Sequence, residues 1–221
     1  MPLTAILFDI DGTLVDSNEQ HISAWEDAFR DAGHRFNRDA IHAQVGKGGD
    51  NLVPTLLPGI SAGEVKQLGE AEGEAFKKRY RAQVKPFRDA KALIERVRSD
   101  GKAVVLASSA SREELDYWVE LLGVGDLVTA TTSRDDVAHS KPCPDIFEAA
   151  LEKVGSAPEA AIVVGDSPYD LKAAASAGIP SIAVRSGGFT DDVLASHGPL
   201  AIYDDVGALL ADYAQSPLAD A

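Results

Sequence analysis

The sequence has little of what several common functions require. Of 221 residues one is cysteine, Cys143, which excludes an internal disulfide and any cysteine-cluster zinc or iron–sulfur site. Basic residues are few: 21 lysines and arginines face 35 aspartates and glutamates, a formal net charge of −14. A nucleic acid or an anionic membrane needs a basic face, so neither is an expected partner. A small phosphorylated molecule stays open, because it meets one local site rather than the net charge. No apolar run approaches the roughly 18 residues needed to span a bilayer. No basic stretch leads into a long apolar segment after Met1, so no signal peptide is read and a cytoplasmic location is expected. Internal repeats and low-complexity tracts are also lacking.

What remains is an ordinary globular composition, 45% hydrophobic and 25% charged. The length suits one large domain or one domain with an insertion. Four continuous apolar runs have strand length: 5–8, 103–107, 161–164 and 182–184, with a weaker one at 127–130. Continuous apolar runs that alternate with helical segments predict a parallel sheet buried on both faces, an α/β fold with right-handed crossovers. Helix starts are legible at Ser17-Asn18-Glu19-Gln20 and Ser111-Arg112-Glu113-Glu114, both with capping-box spacing. Ser167-Pro168 opens another helix and Gly178 closes it. Ninety-five positions separate Phe8 from Ala103, far more than the roughly 10–12 residues of a crossover. The intervening stretch reads as helical, with breaks at Gly46-Lys47-Gly48-Gly49 and Pro58-Gly59. The expectation is a core of residues 1–15 and 85–221, with a helical subdomain inserted at 16–84.

The strongest chemical signal is Phe8-Asp9-Ile10-Asp11-Gly12-Thr13-Leu14-Val15-Asp16-Ser17, placed just after the first strand. In an extended segment residues i and i+2 face the same side, so Asp9 and Asp11 can address one site at the carboxyl edge of the sheet. An Asp-x-Asp-Gly segment also serves as a turn or a helix cap. It is not an EF-hand loop, because Leu14-Val15 is bulky and apolar and no glutamate stands at loop position twelve.

These residues resemble the first motif of the haloacid dehalogenase superfamily in its phosphatase branch, close to β-phosphoglucomutases and phosphoglycolate phosphatases. The resemblance covers nearly the whole chain and implies a Rossmann-like parallel sheet with an inserted all-helical cap. Three further motifs follow in the family's order. Ser108-Ser109-Ala110 matches the phosphate-binding strand end, although a serine-rich turn also explains it. Lys141-Pro142-Cys143-Pro144-Asp145 matches the lysine loop, with Ser140 where many relatives carry glycine. Gly165-Asp166-Ser167-Pro168-Tyr169-Asp170 matches the acidic loop after the fourth strand.

The resemblance implies a Mg²⁺-dependent phosphatase acting on a small phosphomonoester. Asp9 is the implied nucleophile, which forms an aspartyl-phosphate, and Asp11 the general acid and base, for which a raised pKa is expected. Gly12, Thr13, Ser108, Ser109 and Lys141 would hold phosphate and balance its charge. Mg²⁺ would take the Asp9 and Asp166 side chains and the Asp11 carbonyl, with Asp170 behind them as an orienting group or as a simple helix-cap carboxylate. His21, Trp25, Lys47 and Gly48 in the cap are the candidates for substrate choice, though Trp25 also fits a cap core. The alternatives are a sugar-phosphate mutase and a catalytically silent member that binds a phosphorylated metabolite or a protein. Against the mutase stand Gly49, at the position of the mutases' cap arginine, and Gly165, at the position of their glutamate. The sequence leaves the oligomeric state open, and an acidic surface is compatible with a monomer.

Overall fold

A computed structural model describes residues 2–219. Its eight strands are β1 (Ala5–Phe8), β2 (Val15–Asp16), β3 (Lys85–Pro86), β4 (Ala103–Ala107), β5 (Ala130–Thr132), β6 (Ala161–Gly165), β7 (Ser181–Val184) and β8 (Ala201–Tyr203). Six form a parallel sheet in the order β5-β4-β1-β6-β7-β8. The central strands are apolar throughout because helices cover both faces: Ala5, Ile6, Leu7 and Phe8 are all fully buried. The order reverses at β1, which pairs with β4 on one side and β6 on the other, and that switch point opens a crevice at the strands' carboxyl ends.

The core helices are α5 (Ala90–Ser99), α6 (Arg112–Leu122), α7 (Asp145–Val154), α8 (Pro168–Ser176), α9 (Asp191–Ala195) and α10 (Val206–Ala211). Between β2 and β3 lie α1 (Asn18–Asp31), α2 (Arg38–His42), α3 (Gly49–Leu56) and α4 (Ala62–Ala75), the last continued by a π turn over Phe76–Tyr80. These helices have a core of their own, built on Ile22, Trp25, Phe29, Leu52 and Leu68. The chain leaves and re-enters the sheet through the antiparallel pair Val15↔Pro86 and Asp16↔Lys85. The architecture is a Rossmann-like α/β core carrying an all-helical insertion.

Three local expectations need correction. The weak strand at 127–130 begins instead at Ala130: Leu127 and Val128 donate their N–H groups to the Val124 carbonyl and form a turn. The edge strand β8 was not anticipated, because Ala201–Tyr203 is only half-buried and too short to read. At Ser17 the capping box does not form, since Ser17 Oγ donates to Asp11 Oδ1 at 2.7 Å rather than closing the helix start. At Ser111 half of the box forms: Ser111 Oγ accepts from the Glu114 N–H at 3.3 Å, while the Glu114 carboxylate turns towards His21.

Candidate active site

Asp9 follows β1, its N–H bonded to the Val164 carbonyl at 2.9 Å, and its side chain is buried. Lys141 is equally buried. Its ammonium donates to Asp9 and to the Ala107 carbonyl at 3.0 Å, and forms an ion pair with Asp170 Oδ1 at 2.7 Å. Asp166, at the end of β6, accepts from Thr13 Oγ1 and Asn18 Nδ2, both at 3.0 Å. Asp170 is fixed in α8 by a full capping box, accepting from Ser167 N–H at 3.1 Å and Ser167 Oγ at 2.6 Å. Gly12 must be glycine: its φ is +77°, and a Cβ there would collide with the Asp166 carboxylate and the Asn18 amide.

Oxygens of Asp9, Asp166 and Asp170 all lie within 4.8 Å of one another. Lys141 is the one ammonium among them, so three carboxylates face a single positive charge. Burial and the neighbouring Asp170 carboxylate push Asp9 well above the usual carboxylate range, and Lys141 only partly opposes this. The same two causes raise Asp166 to about 7. Crowded hard oxygen donors with unbalanced negative charge fit a small divalent cation such as Mg²⁺.

Asp11 faces the other way, into the cavity under the helical insertion. Ser17 Oγ donates to it, Ser108 Oγ lies 3.4 Å from its second oxygen, and His21 Nε2 lies 3.3 Å from the first. Burial pulls the Asp11 pKa upward, but the hydrogen bonds from His21 and Ser17 prevail and hold it below its ordinary value. This departs from the raised pKa expected of a general acid, and the reason is the imidazole: burial opposes its charge, yet three carboxylates keep its pKa well above normal. Those carboxylates are Asp11, Glu114 at 3.3 Å and Glu72 at 3.0 Å, while the ring stacks on Phe76 at 3.9 Å.

The cavity measures about 120 Å³ and is lined by Asp9, Asp11, Ser108 and Ser109 from the core and by His21, Trp25, Lys47 and Gly48 from the insertion. Ser108 is buried, and its Oγ accepts from the Ala110 N–H at 3.0 Å; Ser109 Oγ has no hydrogen-bond partner among the described residues. Trp25 does double duty as a cavity wall and a member of the insertion's core. Lys47 reaches the cavity, but its ammonium is held by Gln44 at 2.6 Å and Thr55 at 3.2 Å and lies over the Tyr169 ring. Gly48 leaves room for Ser140, whose Oγ lies 2.3 Å from where a Gly48 Cβ would stand, so the glycine and the serine of the lysine loop are matched across the interface. Sequence reasoning missed Asn18, Glu72, Glu114 and the pair Asp50 and Asn51, which bind the Ser140 N–H at 3.2 Å and the Ser140 carbonyl at 3.1 Å. Adjacency to the first motif could have flagged Asn18, and Asp50 closes the Gly46-Lys47-Gly48-Gly49 break; Glu72 and Glu114 carry no local signal.

A parallel sheet with buried acids and a lysine at its switch point, under a helical insertion, defines a class, and comparison with known proteins assigns the chain to it. A family model described as haloacid dehalogenase-like hydrolase matches residues 3–178, and the chain belongs to that family. It is 28% identical over 214 residues to the phosphoglycolate phosphatase of Rhodospirillum rubrum, covering 93% of this chain and 88% of that protein. It is 26% identical over 206 residues to the pyrophosphatase PpaX of Oceanobacillus iheyensis, covering 93% and 94%. Among solved structures, a hydrolase from Pseudomonas syringae is similar with a TM-score of 0.91 and 28% identity, over 97% of this chain and 99% of that one. Among the described residues no helix is long and apolar enough to cross a membrane.

Proposed function

We propose that this hydrolase is a Mg²⁺-dependent phosphatase that cleaves a small phosphomonoester through an aspartyl-phosphate on Asp9. The observation that carries the reading is the division of labour between two aspartates two residues apart. Asp9 sits in the carboxylate cluster beside Lys141, and Asp11 sits in the cavity beside His21. An Asp9 oxygen attacks phosphorus as the bond to the leaving oxygen breaks, and Asp11 relays to that oxygen the proton that His21 holds beside it. Water then attacks the aspartyl-phosphate and gives its proton through Asp11 back to His21, which releases phosphate and restores Asp9.

Lys141 places a fixed positive charge against the nucleophile, and Ser108 and Ser109 bring hydroxyl groups to the cavity wall. Gly12 and Thr13 lie behind that wall, their N–H groups bonded to the Val15 and Ile10 carbonyls and the Thr13 hydroxyl to Asp166. The Asp9 and Asp166 side chains and the Asp11 carbonyl would hold Mg²⁺, whose charge favours the phosphoryl oxygens when it is bound. Asp170 acts through its 2.7 Å pair with Lys141.

Residues 16–84 form the cap. It meets the core through hydrogen bonds, such as His42 to the Gly187 carbonyl at 2.8 Å and Asn51 to the Ser140 carbonyl at 3.1 Å, and through apolar packing of Ala24 and Phe76 with Leu115 and Trp118. A mutase reading finds no support in these residues. A Cβ on Gly165 would meet Asp170 Cβ at 2.5 Å, so a side chain there has no room unless Asp170 shifts, and one on Gly49 would press on the Trp25 ring at 3.2 Å.

The test is phosphate release from a panel of phosphomonoesters with Mg²⁺ and with EDTA. Metal-dependent release that Asp9→Asn abolishes in a folded protein is the expected result. Retained release in that variant removes Asp9 as the nucleophile, and conversion of β-glucose 1-phosphate to its 6-phosphate without release replaces the reading with a mutase.

A further inference from the structure

Helix α4 carries glycine at 69 and 73, well inside a helix where each costs about 1 kcal/mol relative to alanine. Neither is required by the fold. Both have ordinary negative φ, and a Cβ built on either would meet nothing within 4 Å. Positions i and i+4 share one helix face, and this face looks into the catalytic cavity. The bare strip is therefore empty space kept open beside Asp11.

The cavity alone, about 120 Å³, is small for a ligand site. Two adjoining grooves of about 650 and 420 Å³ share Gly69 and Arg134 with it. Arg134 thus stands where the cavity meets both grooves. Its main chain is tied to the Ser108–Ser111 loop through a 2.9 Å bond from its N–H to the Ala110 carbonyl. Its guanidinium has no hydrogen-bond or ion-pair partner among the described residues. The acids around it are already engaged. Asp136 pairs with Arg112 at 2.5 Å and Lys153 at 3.1 Å, and Asp135 accepts from the Arg112 N–H at 2.8 Å. Across the grooves Glu113 pairs with Lys77 at 2.5 Å and Glu70 lies 3.8 Å from Lys66. One uncompensated guanidinium is left at the mouth of a cavity whose inner end holds the nucleophile.

Building on the phosphatase reading above, we propose that Gly69, Gly73 and Arg134 form the leaving-group subsite. It takes a phosphomonoester whose alcohol portion lies along the bare turn of α4, a length of about 6 Å, and carries an anionic group at its far end. Arg134 binds that group through its planar fork, which matches a carboxylate or a second phosphate. A two-carbon leaving group such as glycolate is too short to use both ends.

The experiment compares kcat/KM for three substrates: 6-phosphogluconate, sorbitol 6-phosphate and 2-phosphoglycolate. The first two share a six-carbon skeleton and differ in the terminal carboxylate. Wild type is expected to prefer 6-phosphogluconate over both others. In Arg134→Gln its preference over sorbitol 6-phosphate falls by about 10- to 100-fold, mostly through KM. In Gly69→Ala and Gly73→Ala its preference over 2-phosphoglycolate falls about 10-fold, while Tm rises by roughly 2 °C in each. The Tm readout separates a cleared subsite from a fold requirement, because a glycine needed for packing would lower Tm when replaced. Preferences unchanged in all three variants, or a lower Tm for both glycine variants, overturn the subsite while leaving the phosphatase reading intact. No phosphate release from any substrate by wild type overturns both.

Discussion

Replacing Asp166 with asparagine is expected to stabilise the metal-free protein. At 4.8 Å and an effective dielectric of about 20, a pair of like charges costs roughly 3 kcal/mol. Asp166 faces two such neighbours, Asp9 and Asp170, and the Lys141 charge cancels part of their effect. The lift of the Asp166 pKa from 3.8 to about 7 gives the same scale, about 4 kcal/mol. The sign follows from a carboxyl whose folded pKa is raised. The penalty is absent below pH 4, grows between pH 4 and 7, and is complete above pH 7. Asparagine keeps the shape and loses at most one of the bonds from Thr13 and Asn18, about 1 kcal/mol. The net expectation at pH 8 in EDTA is a gain of roughly 2–3 kcal/mol, read by urea unfolding. Mg²⁺ should then favour wild type, adding about 2.7 kcal/mol at a hundredfold excess over Kd, and add little to the variant. A variant no more stable than wild type in EDTA at pH 8 would refute the reasoning, because the three carboxylates would then lack the repulsion that marks them as a cation site.

Gly12→Ala should cost more than 2 kcal/mol in urea unfolding, since it combines a left-handed φ of +77° with a collision against Asp166; a cost under 1 kcal/mol would show that the loop relaxes freely. Trp118→Ala should cost about 3–5 kcal/mol, because Trp118 is fully buried and packs edge-on against Phe76 at 6.1 Å and Tyr117 at 5.1 Å. Asp136 is held at about 2, where burial is outweighed by hydrogen bonds from Ser133 and Lys153 and by the Arg112 charge. Asp136→Asn should therefore cost roughly 1–2 kcal/mol at pH 7, and the gap should close as pH falls from 4 to 2; a gap that does not change with pH assigns the effect to packing.

The buried strands were the most legible part of the fold, and the reason is physical. A strand covered on both faces must be apolar at every position, so Ala5–Phe8 and Ala103–Ala107 announce themselves without any periodicity. Ala201–Tyr203 is an edge strand, half-buried, and its three residues could equally be a loop. All three helix starts stand where the sequence puts them, with Ser17, Ser111 and Ser167 at the N-caps, but the full capping box forms only where its groups have no competing task. Ser167 and Asp170 close a full box, whereas Ser17 is diverted to Asp11 and Glu114 to His21. Both failures fall at the cavity, where a side chain that could have satisfied its own helix is turned towards a ligand site instead.

The candidate site divides along the same line. Asp9, Asp11, Ser108, Lys141 and Asp166 lie at strand ends or in the loops that follow them, so the topology that brings those ends together also brings the side chains together. Glu72 and Arg134 could not be found that way. Glu72 lies on α4 and reaches His21 because α4 packs against α1 inside the insertion, and Arg134 matters because its acidic neighbours are taken by Arg112 and Lys153. Gly69 and Gly73 look like weak points in a helical pattern when read as sequence. They acquire a meaning only once the structure shows that nothing in the protein itself occupies the space they leave. Motifs at strand ends thus report where the phosphoryl group goes, and the residues that choose its alcohol are set by how the cap lies on the core.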